Sequence, residues 1–160
     1  MKIIKALIVA IAFCLPLTSF ALTDDEQVVF TDALRNGNLK VVKQYLDNGS
    51  ATANEKSFAW SALQMAADKG HLEIVKLLVE KGAELDYAHP VNKMTALHMA
   101  AYSGHDEVVK YLLSKGANPN KKMSRGVSIL RAVKDQGHTS TVAILEAAGA
   151  KDDGCQGDCN

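Results

Sequence analysis

The sequence predicts an all-α solenoid, a row of about four helix–turn–helix units packed side by side. Three observations carry the prediction. Gly37, Gly70, Gly104 and Gly137 recur at intervals of 33, 34 and 33 residues. Gly49, Gly82, Gly116 and Gly149 follow each of them by 12 residues. Between the two glycines of a pair, apolar residues recur at helical spacing: Ile74, Val75, Leu77 and Leu78 in one unit, Val108, Val109, Leu112 and Leu113 in the next. A unit this small cannot bury its own apolar face, so the units must stack to form a common core.

The first 21 of the 160 residues read as a secretory signal peptide. Lys2 and Lys5 give a positive start, Ala6 to Leu15 is an uninterrupted apolar run ended by Pro16, and Ser19-Phe20-Ala21 supplies the small residues of a cleavage site. The run falls short of the roughly 20 residues a bilayer-spanning helix needs. Phe13 is bulky where a lipoprotein signal wants a small residue before Cys14. Cleavage is expected after Ala21, leaving Leu22 to Asn160 in the periplasm or secreted, with no membrane span. Loss of Lys2 and Lys5 leaves 16 basic against 18 acidic residues, a net charge of −2.

The repeat units are expected at about 24–54, 57–87, 91–120 and 124–151, within a domain of residues 22–151. Asp24, Asp25 and Glu26 read as helix N-terminal charges favoured by the dipole. Ser61, Thr95 and Ser128 stand where a hydroxyl caps a first helix. The pattern puts Val28 at that place in the first unit. Short helices then run over Ala62–Asp68 and Ala96–Tyr102, stopped by Gly70 and Gly104. Second helices follow at once and end at Gly82 and Gly116. The 34-residue interval predicts one extra loop residue near Tyr87 to Lys93. The fourth unit carries Arg131, Lys134, Thr139, Ser140 and Thr141, which read as the polar outer face of an end unit.

With Thr95-Ala96-Leu97-His98, Ala100-Ala101, Gly104-His105, Val108-Val109, Leu112-Leu113 and Gly116-Ala117 in place, the chain resembles ankyrin-repeat proteins over roughly Val28 to Lys151. Ala62, Ala96 and Ile129 replace the proline usual after the capping residue. The resemblance implies that His71, His105 and His138 hydrogen-bond within and between repeats, and that His98 braces a loop. It implies a concave binding side formed by the first helices and the loop tips. In this chain that side presents Phe58, Trp60, Asp68, Lys69, Asn92, Met94, Tyr102, Ser103, Arg125 and Asp135. Trp60 has two readings, a binding anchor or a cover that seals the neighbouring loop. Met65 and Met99 read as core, and His89 as a solvated loop residue.

Composition narrows function further. Eighteen basic and 18 acidic residues give no overall field to attract nucleic acid or an anionic membrane. No HExxH, P-loop, GxGxxG or GxSxG motif is present. A binding protein, not an enzyme, is expected, monomeric, with no cofactor or metal and with another protein as its partner.

The tail, residues 152–160, lies outside the repeat. Cys155 and Cys159 are the only cysteines left after signal removal and in an exported compartment read as a disulfide. A metal held by both thiolates is the alternative, and with it a metal- or redox-responsive function. Two thiolates fall short of the usual four ligands.

Overall fold

In a computed structural model, residues 22–152 are described. Segment 1–21, read from sequence as a signal peptide, and Cys155 and Cys159, read as a disulfide, both lie outside the described residues. Eight α-helices and one two-stranded ribbon follow in order among those residues: α1 Asp24–Asn36, α2 Leu39–Asp47, β1 Lys56–Ser57, β2 Trp60–Ser61, α3 Ala62–Asp68, α4 Leu72–Glu80, α5 Ala96–Tyr102, α6 Asp106–Ser114, α7 Ile129–Gln136 and α8 Thr139–Ala147. Helices α1, α3, α5 and α7 stack as one layer, α2, α4, α6 and α8 as a second, and each pair packs across the layers. No described helix is long and apolar enough to cross a membrane.

The core lies between the two layers. Leu63, Leu97 and Leu130, one per repeat, are buried from the inner layer; Ile74, Leu78, Val108 and Leu112 are buried from the outer one. Ala66, Ala67, Ala100 and Ala101 are fully buried where inner helices meet. Small side chains let the helix axes approach, and Leu and Ile fill the space between the layers.

Capping decides where the inner helices begin. Ser61 Oγ accepts the Gln64 N–H at 3.2 Å while Gln64 Oε1 accepts the Ser61 N–H at 2.9 Å. Thr95 and His98 form the same reciprocal box, and Ser128 Oγ accepts from the Arg131 N–H at 3.3 Å. The first unit differs from the repeat pattern. Its cap is Thr23, boxed with Glu26, and not Val28. Helix α1 therefore runs 13 residues against seven in α3, with Asp24, Asp25 and Glu26 in its first turn. The acidic first turn favours this longer helix through its interaction with the helix dipole.

The histidines fasten one repeat to the next. His71 Nε2 donates to the Arg35 carbonyl and His105 Nε2 to the Asp68 carbonyl, both at 2.9 Å. Each ring lies over the glycine ending the preceding inner helix. A Cβ on Gly70, which holds φ +73°, would stand 2.6 Å from the His105 ring. His138 lies over Gly104 in the same manner. These positions need glycine for the left-handed turn and for the space as well.

One expectation for the end unit is corrected. Thr141 is buried, not turned to water: its hydroxyl donates to Asp106 Oδ1 at 2.5 Å, tying α8 to α6. That bond holds the Asp106 carboxyl below the usual carboxylate range.

Candidate functional site

Three loop tips project between successive repeats. The first is the ribbon β1–β2, with Lys56 paired to Ser61 and Ser57 to Trp60 around a Phe58-Ala59 turn. The second turns over His89–Met94, where the His89 N–H donates to the Met94 carbonyl at 2.9 Å. The third turns over Met123–Val127, closed by the Met123 N–H on the Val127 carbonyl at 3.0 Å. The row is cross-linked. Tyr87 donates its hydroxyl to the Ala59 carbonyl at 2.9 Å, and the Ser124 N–H donates to the Asn92 carbonyl at 2.9 Å.

Among the described residues, every non-glycine residue in the left-handed region sits on these tips: Phe58 (φ 49°), Ala59 (67°), Lys93 (60°) and Arg125 (61°). A Cβ is disfavoured there by about 1–2 kcal/mol. Phe58 adds a second cost, since this aromatic residue is 95% exposed. Bulky residues in a conformation suited to Gly or Asn mark positions where a requirement other than local stability applies.

Beneath the tips, two grooves open along the inner helices. The groove below the first tip, about 290 Å³, is lined by Phe58, Trp60, Met65, Asp68 and Met99, with Thr31, Arg35 and Ser57. The groove between the second and third tips, about 680 Å³, is lined by Asn92, Met94, Tyr102, Met123, Arg125 and Val127, with Ser124 and Ala132. Helix α5 contributes to both, through Met99 and Tyr102.

Seven of the residues named from sequence therefore line grooves: Phe58, Trp60 and Asp68 in the first, Asn92, Met94, Tyr102 and Arg125 in the second. Lys69, Ser103 and Asp135 lie outside the two linings. Lys69 pairs with Asp68 at 3.0 Å and Ser103 donates to Asp68 at 3.3 Å, so both serve to hold that carboxylate. Asp135 stands exposed near the end of α7.

Two readings from sequence are corrected. His89 is not a solvated loop residue. It is buried, and Trp60 stacks on it with ring centroids 4.1 Å apart. Trp60 thus seals the neighbouring loop and lines a groove at once, because its two faces meet different surroundings. Met65 and Met99 are not wholly core: both are half-buried, Met65 packing against the core, and both line the first groove. A sequence signal for this existed. Trp60, Met94 and Val127 each precede a capping residue, and Met65, Met99 and Ala132 each follow one by four positions. That is the spacing of a hydrophobic staple, which lies at the helix entrance and not in the interlayer core. Met123 follows no such rule, and only the fold brings it to the groove.

The residues at the third position after the cap act on the following loop. Gln64 Nε2 donates to the Met94 carbonyl at 2.7 Å. His98 does the same in the next repeat, its Nε2 donating to the Lys121 carbonyl at 3.1 Å while Nδ1 accepts the Thr95 N–H at 3.1 Å. Burial lowers the His98 pKa to about 4, with the bond to Lys121 opposing the shift. The ring is therefore neutral, with its proton on Nε2, at neutral pH. These two side chains hold both walls of the larger groove in place.

A sequence model of ankyrin repeats, in three copies, matches residues 30–123. The chain is similar to ankyrin repeat, SAM and basic leucine zipper domain-containing protein 1 of Ovis aries, 30% identical over 64 residues, which are 40% of this chain and 14% of that protein. It is also similar to the protein of that name from Loxodonta africana, 30% identical over 71 residues, 44% of this chain and 15% of the relative. The matches thus span only about one-seventh of the curated relatives' length.

Proposed function

The chain belongs to the ankyrin-repeat family, and from that premise we propose that it acts outside the cytoplasm, binding a partner protein along its loop tips and inner helices. Ankyrin repeats are protein–protein interaction modules, generally without catalytic activity. The export signal in residues 1–21 supports action in the periplasm or beyond the cell, where the protein inhibits, protects or assists another exported protein.

One observation carries the reading. The side chains that the stack does not need, exposed Phe58 and Tyr102 and the half-buried methionines, gather at two adjacent grooves, and strained backbone is confined to the tips beside them. Aromatic residues and Arg dominate binding hot spots, and Met supplies an adaptable apolar surface.

The test is affinity capture from the exported fraction with the native protein and Phe58→Ala/Tyr102→Ala in parallel. Both side chains are exposed, so the double variant should melt with the native protein. A partner held by the native protein and lost by the variant is expected. Equal retention by both would move the binding face elsewhere, and the Cys155–Cys159 tail would become the segment to delete next.

A further inference from the structure

The chain's even charge balance conceals a segregation. From Leu22 to Asp86 there are 11 acidic and seven basic residues, a net charge of −4. From Tyr87 to Lys134 there are eight basic residues against two acidic, a net charge of +6. Those two, Asp106 and Glu107, open α6 in the outer layer, and Glu107 is paired to Lys110 at 2.7 Å. The second and third tips consequently carry cations and no carboxylate: Lys93 at one and Arg125 at the other, with Lys122 immediately before the third tip.

These three cations are exposed, and no ion pair among the described residues involves any of them. The ion pairs that do form hold Lys69, Lys76, Lys81, Lys110 and Lys134. Lys93 stands between the groove-lining residues Asn92 and Met94, and Arg125 lines the same groove from the opposite tip. Both hold left-handed backbone. Between them the groove presents apolar Met94, Met123 and Val127.

We propose that the groove between the second and third tips takes an extended acidic segment of the partner protein. One apolar side chain enters among Met94, Met123 and Val127, and flanking carboxylates pair with Lys93 and Arg125. This rests on the binding reading above and adds the chemistry of what is bound. Charge complementarity selects the ligand, since unpaired cations on both rims favour carboxylates, and the apolar floor favours a hydrocarbon or aromatic side chain. A nucleic acid fits less well: Lys93 and Arg125 beside an apolar floor make a short basic rim, not a track for a phosphate backbone.

The experiment uses the exported chain and three fluorescein-labelled undecapeptides, each with a central phenylalanine flanked by glutamates, by serines or by lysines. Fluorescence anisotropy should show the glutamate peptide binding at least about 10-fold tighter than the serine peptide, with affinity falling as salt rises. Replacing the central phenylalanine by glycine should cost about 10-fold. Lys93→Asp/Arg125→Asp should weaken the glutamate peptide by at least about 10-fold, bring the lysine peptide into binding and leave the melting curve in place, Asp being tolerated in left-handed backbone. Equal binding of all three peptides, or no effect of the double variant on the glutamate peptide, would overturn the proposal. So would tighter binding of a single-stranded oligothymidylate, or self-association in sedimentation that the double variant abolishes. A partner that is captured through Phe58 and Tyr102 yet not displaced by the glutamate peptide would also sink it, while leaving the binding reading intact.

Discussion

The stacked helices and the row of tips are built from the same repeat, yet they treat equivalent positions in opposite ways. In the stack, several positions keep one side chain from repeat to repeat: Leu63, Leu97 and Leu130 are buried, and His71, His105 and His138 each cover a glycine of the repeat before. On the tips the equivalents diverge: Phe58, Asn92 and Arg125 at one position, Trp60, Met94 and Val127 at another. Neighbours on both sides constrain a stacked residue by volume and hydrogen bonding. A tip residue meets water on one side, so the stack leaves its identity free, and it can even carry backbone strain.

The sharpest way to break this comparison lies in the stack. Gly70→Ala places a Cβ in left-handed backbone and against the His105 ring, which must leave the Asp68 carbonyl. A loss of about 3 kcal/mol in urea denaturation is expected, from the backbone term, the crowding and the lost bond together. Gly82→Ala has the same left-handed backbone with nothing within 4 Å, so it should lose only about 1 kcal/mol. Equal losses would remove the histidine–glycine contact as a source of stability.

A second difference separates two repeats through pH. His98 sits at a folded pKa of about 4, below its ordinary 6.5. Between those values the unfolded chain binds the proton and the folded chain does not. The His98 contribution is thus complete above about pH 6.5 and is lost as pH falls toward 4. It amounts to about 2 kcal/mol between pH 7 and pH 5. His98→Gln installs the side chain that Gln64 already provides one repeat earlier. It should flatten that part of the stability profile, and an unchanged slope in thermal melts across pH 5–7 would refute the assignment.

Trp60 belongs to both regions, so its replacement should show a mixed effect. Trp60→Ala removes the stack on His89 and is expected to cost about 1 kcal/mol, with partner affinity falling as well. Loss of affinity at unchanged stability would make it a pure binding residue. The smallest effect carries the opposite sign. Phe58→Asn keeps the left-handed turn with a residue that tolerates it and removes a ring left in water. It should raise stability by about 0.5 kcal/mol while weakening partner capture. A drop in stability would mean the ring is held by the fold after all.

Much of the fold was legible because its signals are local or periodic. The glycine pairs gave the period, the hydroxyls gave the inner helix starts, and α3 and α5 fall where the sequence places them. The start of α1 was displaced because Thr23 offers a stronger cap than the repeat position occupied by Val28. The candidate surface was half legible. Phe58, Trp60, Tyr102 and Arg125 could be named from the register of the repeat, whereas Met65 and Met99 were taken wholly for core because helical spacing does not say which layer an apolar face meets.

By itself the sequence determined the repeat, the two-layer helical architecture and which glycines and histidines must recur, since each depends on residues within one period of 33 or 34. Only the tertiary structure decided that His89 lies buried beneath Trp60, that Thr141 faces Asp106, and that Met123 joins Met94 between two basic tips. Those contacts join residues about 30 or more positions apart across neighbouring units. Their geometry follows from the angle at which one repeat packs on the next, a property of the stack that no single unit contains.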